Sequence, residues 1–169
     1  MLNRETSINL LNKAVADELA AVHQYLYFHF HLEDQGFGPL ATLFRATAIQ
    51  EMGHIATLSE RILFLKGDVN LQASEPVQRI QDPVAILEKA MSMEESSIVD
   101  YNDFAIECSK AADAKTKQLF EALVTDEERH FDTFEKQLEN VRRFGANYLA
   151  LQSFSATEGP ATPNNGASA

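Results

Sequence analysis

The sequence predicts an all-α fold: a four-helix bundle with one long crossover between helices two and three, followed by a short fifth helix. Three observations predict it. Four long stretches carry apolar residues at helical spacing. A stretch of sixteen residues, 67 to 82, lacks that spacing and separates the second from the third. A repeat at an offset of 76 positions relates the two halves, pairing Glu18 with Glu94, Tyr25 with Tyr101, Phe28 with Phe104, Leu43 with Leu119, Phe44 with Phe120, Glu51 with Glu127 and His54 with His130.

The first helix begins at Ser7 or earlier, and its inward stripe reads Leu11, Ala14, Val15, Glu18, Ala21, Tyr25, Phe28, Leu32, with one acid inside an apolar face. Gly36 and Gly38 break it. Pro39 suits the first turn of the second helix, where its missing N–H is no loss, and that helix runs to Lys66, with Gly67 expected as a left-handed cap. A helix of this length is about 42 Å long and sixteen extended residues reach about 50 Å, so the connection spans the whole bundle and helices two and three run parallel. Asp82-Pro83 reads as an N-cap with proline in the first turn of the third helix, which extends to about Ala111. Asp113 caps the fourth, which continues to Phe144, and a short fifth covers 146 to 154. Residues 1–154 therefore form one domain. Residues 155–169 collapse to Ala, Gly, Pro, Ser, Thr and Asn with one acid, too little apolar surface to order, and read as a disordered tail.

The formal charge of −11 argues against nucleic acid or an anionic membrane as partner and favours cations, of which metal ions are the simplest. Cys108 is the sole cysteine, which excludes an intramolecular disulfide, a zinc ribbon and a dithiol redox motif; it reads as a small buried hydrophobe. No signal-peptide pattern opens the chain and no apolar run reaches the roughly 20 residues a bilayer demands, so a soluble cytoplasmic protein is expected.

Glu51-Met52-Gly53-His54 and Glu127-Glu128-Arg129-His130 each place a carboxylate and an imidazole three residues apart, on one side of a helix, where both reach one metal ion. Each half adds a lone glutamate, Glu18 or Glu94, 33 residues before its motif. Taken singly, either also reads as a boundary residue, but charged side chains are rarely buried unless paired or bound. Four carboxylates cancel the charge of two divalent ions, so a buried cluster is neutral when filled. Oxygen and imidazole donors suit iron or manganese better than thiophilic metals. Tyr25 and Tyr101, two turns beyond Glu18 and Glu94 on the same face, are placed to donate hydrogen bonds to ligand carboxylates, and also read as ordinary core tyrosines. His23, His29 and His31 lie outside the repeat and are assigned to core or subunit contacts. Met52 points away from Glu51 and His54, out of its own bundle, and reads from geometry alone as a gap-filler in a dimer interface.

One glutamate on each of two helices and a Glu-x-x-His on each of the other two is the ligand pattern of ferritin-like di-iron and di-manganese proteins. With Arg61-Ile62-Leu63-Phe64-Leu65-Lys66-Gly67 and Asn70-Leu71-Gln72, the chain resembles the bacterioferritins through about Phe154. The resemblance implies a ferroxidase of Glu18, Glu51, His54, Glu94, Glu127 and His130 that oxidises Fe(II) with oxygen or hydrogen peroxide. It implies a 24-subunit shell built of dimers that stores the ferric mineral, with a reductant protein for iron release. Glu51 and Glu127 would bridge the irons. Met52 would supply one of two axial sulfurs, one per subunit, to a haem b between subunits; Leu19, Val22 and Leu26 lie on a comparable outward stripe of the first helix, and the small Ala48 and Ala56 flank Met52 and leave room for it. An accessory histidine and aspartate found in some members correspond here to Ala46 and Gln50, so electron transfer through such a site is not expected. The other readings are a rubrerythrin-like peroxidase, which normally adds a cysteine-ligated iron domain, and a di-iron oxygenase on a larger scaffold.

Overall fold

The computed structural model describes residues 4–155 and consists, over those residues, of five helices: α1 (Arg4–Asp34), α2 (Gly38–Phe64), α3 (Pro83–Lys110), α4 (Ala114–Phe144) and α5 (Ala146–Ser155). The expected tail lies outside the described residues, apart from Ser155 at the end of α5. Helices α1 and α2 form one antiparallel hairpin and α3 and α4 a second. No described helix is long and apolar enough to cross a membrane.

The connection does run the length of the bundle, and it does so along α1. Asn12 donates to the Asp68 carbonyl and accepts from the Asn70 N–H, the Ser74 N–H donates to the Ala16 carbonyl, and the buried Gln24 amide holds both backbone groups of Gln78. Gln35 then donates to the Gln81 carbonyl near the far end of the helix. Contacts at 12, 16, 24 and 35 advance with contacts at 68, 74, 78 and 81, so the connection runs parallel to α1 and returns the chain to the starting end of α2. That gives α2 and α3 the same direction. It also buries a second side of α1: Ala20 and Gln24 are interior although the apolar stripe does not include them, while Ala21 of that stripe is half-buried.

Asp82 accepts from the Ala85 N–H and Asp113 from the Thr116 N–H, the two N-caps expected from their positions before α3 and α4. Asp113 is buried, and the Arg61 guanidinium lies 2.7 Å from its carboxylate while Arg61 Nε donates to Thr116 Oγ1. The end of α2 is thereby pinned to the start of α4. Burial raises the Asp113 carboxyl, but hydrogen bonds from Thr116 and the Arg61 charge outweigh it, and the net shift is downward.

The end of α2 differs from expectation. Lys66, not Gly67, takes the left-handed conformation, with φ 66°. Lys66 N–H donates to Leu63 O and Gly67 N–H to Ile62 O, the paired bonds of a Schellman cap. Gly67 stands one position beyond the cap for a steric reason, since a Cβ there would lie 2.8 Å from Ile8 Cγ2. Ala112 ends α3 in the same way, with φ 58° and the bonds Ala112 N–H to Ser109 O and Asp113 N–H to Cys108 O. Gly36, with φ 82°, ends α1. With Gly145 at φ 66° closing α4, two of these four helix ends use residues with a Cβ where glycine is less strained. Ala112→Gly is expected to raise unfolding stability by about 0.5–1 kcal/mol and Gly67→Ala to lower it by about 1–3 kcal/mol, read by thermal unfolding. A stabilised Gly67→Ala protein would overturn the steric account.

Candidate metal centre

The bundle interior holds two separate apolar clusters. One contains Tyr25, Phe28, Leu32, Phe44, Leu87 and Phe134; the other contains Leu11, Val15, Leu58, Ile62, Tyr101, Phe104 and Phe120. The repeat is visible in their ring geometry: Phe28 and Phe44 lie 5.4 Å apart, Phe104 and Phe120 5.3 Å, in edge-on contact in both cases. The polar residues of the repeat lie together between these clusters.

Glu18, Glu51, His54, Glu94, Glu127 and His130 are all buried and brought together. One group, Glu18, Glu51, His54 and Glu127, presents four donor atoms within 4.8 Å of one another; a second, Glu51, Glu94, Glu127 and His130, does the same. Glu51 and Glu127 belong to both. His54 Nδ1 lies 2.8 Å from Glu51, 3.1 Å from Glu127 and 3.3 Å from Glu18. His130 Nδ1 lies 3.1 Å from Glu51, 3.3 Å from Glu127 and 3.7 Å from Glu94. Each imidazole therefore turns Nδ1 inward. A cleft of about 380 Å3 reaches Glu18, Glu51, Glu94 and Glu127, and its wall also carries Asp17, Asp100 and the exposed Glu75, giving the cluster an acidic route to the surface.

The residues fit metal ions on an observation independent of motif. Among the described residues, five buried side-chain polar atoms lack a directed hydrogen bond, and four of them are Glu51 Oε1 and Oε2, His54 Nδ1 and Glu127 Oε1. Buried polar atoms are seldom left so, and here the orphans converge on the interior of one cluster.

The two tyrosines act across the repeat. Tyr25 O–H donates to Glu94 and Tyr101 O–H donates to Glu18 at 2.5 Å, so each half of the chain supplies the phenol for the other half's lone glutamate. Burial and then the neighbouring Glu94 or Glu18 charge push both phenols well above their ordinary range, which keeps them neutral donors.

Two contributors escaped the sequence reading. Gln50 Oε1 accepts a hydrogen bond from His130 Nε2 at 2.6 Å, and Asp126 Oδ2 lies 3.3 Å from His54 Nε2. A signal for both existed, because 50 and 126 are themselves 76 apart and each directly precedes a motif glutamate. Such contacts on the outer nitrogen fix which ring nitrogen faces the metal.

His29 is half-buried, with Nδ1 donating to the Ala41 carbonyl, the His31 ring lies tilted against Tyr27, and His23 is exposed; none reaches the cluster. Cys108 is buried, with Ser7 Oγ 4.0 Å away. Met52 is 47% exposed on the outer surface of α2. Its expected surroundings need correction: Val22 and Ala48 are interior, Ala48 within the first apolar cluster. Ile49 and Ala56, one turn to either side of Met52, are exposed, and Leu19 and Leu26 are half-buried.

Protons occupy the cluster when metal does not. Burial raises Glu18 and Glu94 well above 4.5, with Glu51 adding to Glu18, so both favour the neutral acid. Burial opposes charge on the imidazoles, but the surrounding carboxylates outweigh it: His130 is pushed up to about 12 and His54 is raised further, while Glu127 is lowered by the same contacts despite its burial. Raised groups stabilise the fold fully below their unfolded values, 4.5 for glutamate and 6.5 for histidine, and that contribution is lost as pH climbs toward their folded values. The lowered Glu127 acts oppositely, and only below 4.5. Chelator-treated protein is therefore expected to melt at progressively lower temperature from about pH 5 to about pH 9. The slope should flatten in a Glu18→Gln, Glu94→Gln double variant; an equal slope in that variant would place the dependence elsewhere.

Residues 8–144 match the family described as the ferritin-like domain. The chain is 38% identical over 145 residues to a bacterioferritin of Rhodobacter capsulatus, covering 85% of this chain and 89% of that one. It is 35% identical over 143 residues to a bacterioferritin of Desulfovibrio desulfuricans, covering 85% and 80%. An X-ray structure of the D. desulfuricans bacterioferritin, described as showing the diiron site in different catalytic states, superposes with a TM-score of 0.86 at 34% identity, covering 88% of this chain and 87% of that one. The helical repeat, the paired carboxylate and imidazole groups and this similarity along most of the sequence agree: the chain belongs to the bacterioferritin family of ferritin-like proteins.

Proposed function

We propose that the chain binds Fe(II) at a pair of adjacent positions, oxidises it to Fe(III), and as part of a multimeric shell stores the ferric product. The observation that carries this reading is the pair of four-donor groups sharing Glu51 and Glu127. Two shared carboxylates hold two cations close together, which suits transfer of one electron from each to a two-electron acceptor, oxygen or hydrogen peroxide. Glu51 and Glu127 would be shared by the two irons, and Glu18 with His54, and Glu94 with His130, would each hold one of them. Tyr25 and Tyr101 steady the terminal glutamates. The acidic cleft draws the cation toward the site and the buried surroundings limit side reactions with water.

The shell of the proposal has 24 subunits arranged as dimers, in the cytoplasm, with a reductant protein releasing the stored iron; the family resemblance supports each of these. Residues 1–154 act as its single folded unit. Rapid mixing of Fe(II) with aerobic protein should show a fast oxidation phase that Glu127→Ala and His130→Ala abolish. All three proteins should elute at roughly 450 kDa, 24 copies of an 18.8 kDa chain. A parental rate in either variant would overturn the ligand assignment, and elution as a dimer would favour a small di-iron oxidoreductase instead.

Met52 is the proposed axial ligand of a haem b shared between two subunits. Its thioether is exposed on the outer face of α2, and Ile49 and Ala56 offer apolar surface beside it. A haem bound there supplies an electron-transfer group. Met52→Leu keeps the side-chain volume and removes the sulfur. Reconstitution with haem should give the parent a six-coordinate spectrum that the variant lacks, with Fe(II) oxidation retained; identical spectra would exclude Met52.

A further inference from the structure

The inner donors of the centre obey the repeat, but the residues behind the histidines do not. His130 Nε2 donates to the neutral carboxamide oxygen of Gln50 at 2.6 Å, whereas His54 Nε2 faces the carboxylate of Asp126 at 3.3 Å. The next equivalent pair differs too. Arg129 Nη2 lies 2.9 Å from Asp126 Oδ1, and its counterpart at the offset, Gly53, has no side chain. Arg129 is 61% exposed, so water screens its charge, while Asp126 Oδ2 sits directly against the ring. A carboxylate behind an imidazole makes the inner nitrogen a stronger donor than an amide does.

We infer that Gln50 and Asp126 are positioning residues that make the two metal positions unequal. The position of Glu18, Glu51, His54 and Glu127 binds a divalent ion more tightly and fills first; that of Glu51, Glu94, Glu127 and His130 fills second. This rests on the di-metal reading above. Shared bridging carboxylates couple the two ions in any case, so two binding steps alone do not establish the inference. What establishes it is that each outer residue moves one step only.

The test is anaerobic titration of the assembled, metal-free protein with Co(II), a divalent stand-in for Fe(II) that accepts carboxylate and imidazole donors and whose visible absorption reports occupancy, beside calorimetry. The parent should bind two Co(II) per chain in two resolved steps. Asp126→Asn, which keeps shape and removes charge, should weaken the first step by about tenfold and leave the second nearly unmoved. Gln50→Glu, which keeps shape and adds charge, should strengthen the second step by a similar factor and leave the first. The double variant should invert the order of filling. Two Co(II) bound with both steps shifted together, or neither shifted, would overturn the inference and leave the di-metal site standing. Failure of the parent to bind two Co(II) would overturn the di-metal reading itself.

Discussion

The burial of four carboxylates within one layer of a helical bundle is the constraint on which the rest of the structure depends. Carboxylates in apolar surroundings are costly unless neutralised, and Glu18, Glu51, Glu94 and Glu127 lie between two apolar clusters with few directed partners. The chain answers in three ways. Two phenols satisfy the lone glutamates, two imidazoles lie against the shared ones, and protons or cations supply the remaining positive charge. The apolar clusters then have a clear task. They fix the six side chains in positions that repulsion among the carboxylates would otherwise spread apart.

Much of this was legible in the sequence because two periodicities overlap. Helical spacing gave the bundle, and the offset of 76 joined ligands that are distant along the chain. The two N-caps were readable since Asp82 and Asp113 act on the backbone three residues ahead, a local effect. What escaped was non-local. Gln24 is buried by a connection fifty residues away, which no pattern within α1 can reveal. Ala48 was placed on the outer face by helical angle alone, yet it packs inside, because the buried stripe of α2 is wider than the line through its ligands. Gly67 looked like a cap by residue type, but its place is set by contact with Ile8. Gln50 and Asp126 occupy equivalent positions but differ in type, so residues identical at the offset of 76 do not point to their contacts with the histidines.

The two halves of the centre are alike at its heart and unlike at its edge. The ligands facing inward are identical in the two halves, as charge neutrality requires, whereas the residues backing them are free to differ. Variation behind a fixed ligand set alters donor strength without emptying the site. Family membership and the fine behaviour of an individual member therefore reside in different layers of the same centre.

The distribution of ligands between the hairpins has a consequence for how the chain folds. Each hairpin closes through a turn of a few residues and forms from local contacts, which are fast. Neither hairpin alone holds a complete group: the first lacks Glu127, the second lacks Glu51, and each lone glutamate lacks its phenol. The site exists only where the two hairpins are docked together, with the connection laid along α1. A cation captured there is a latch on a finished subunit, and a misdocked chain has nothing comparable with which to hold it.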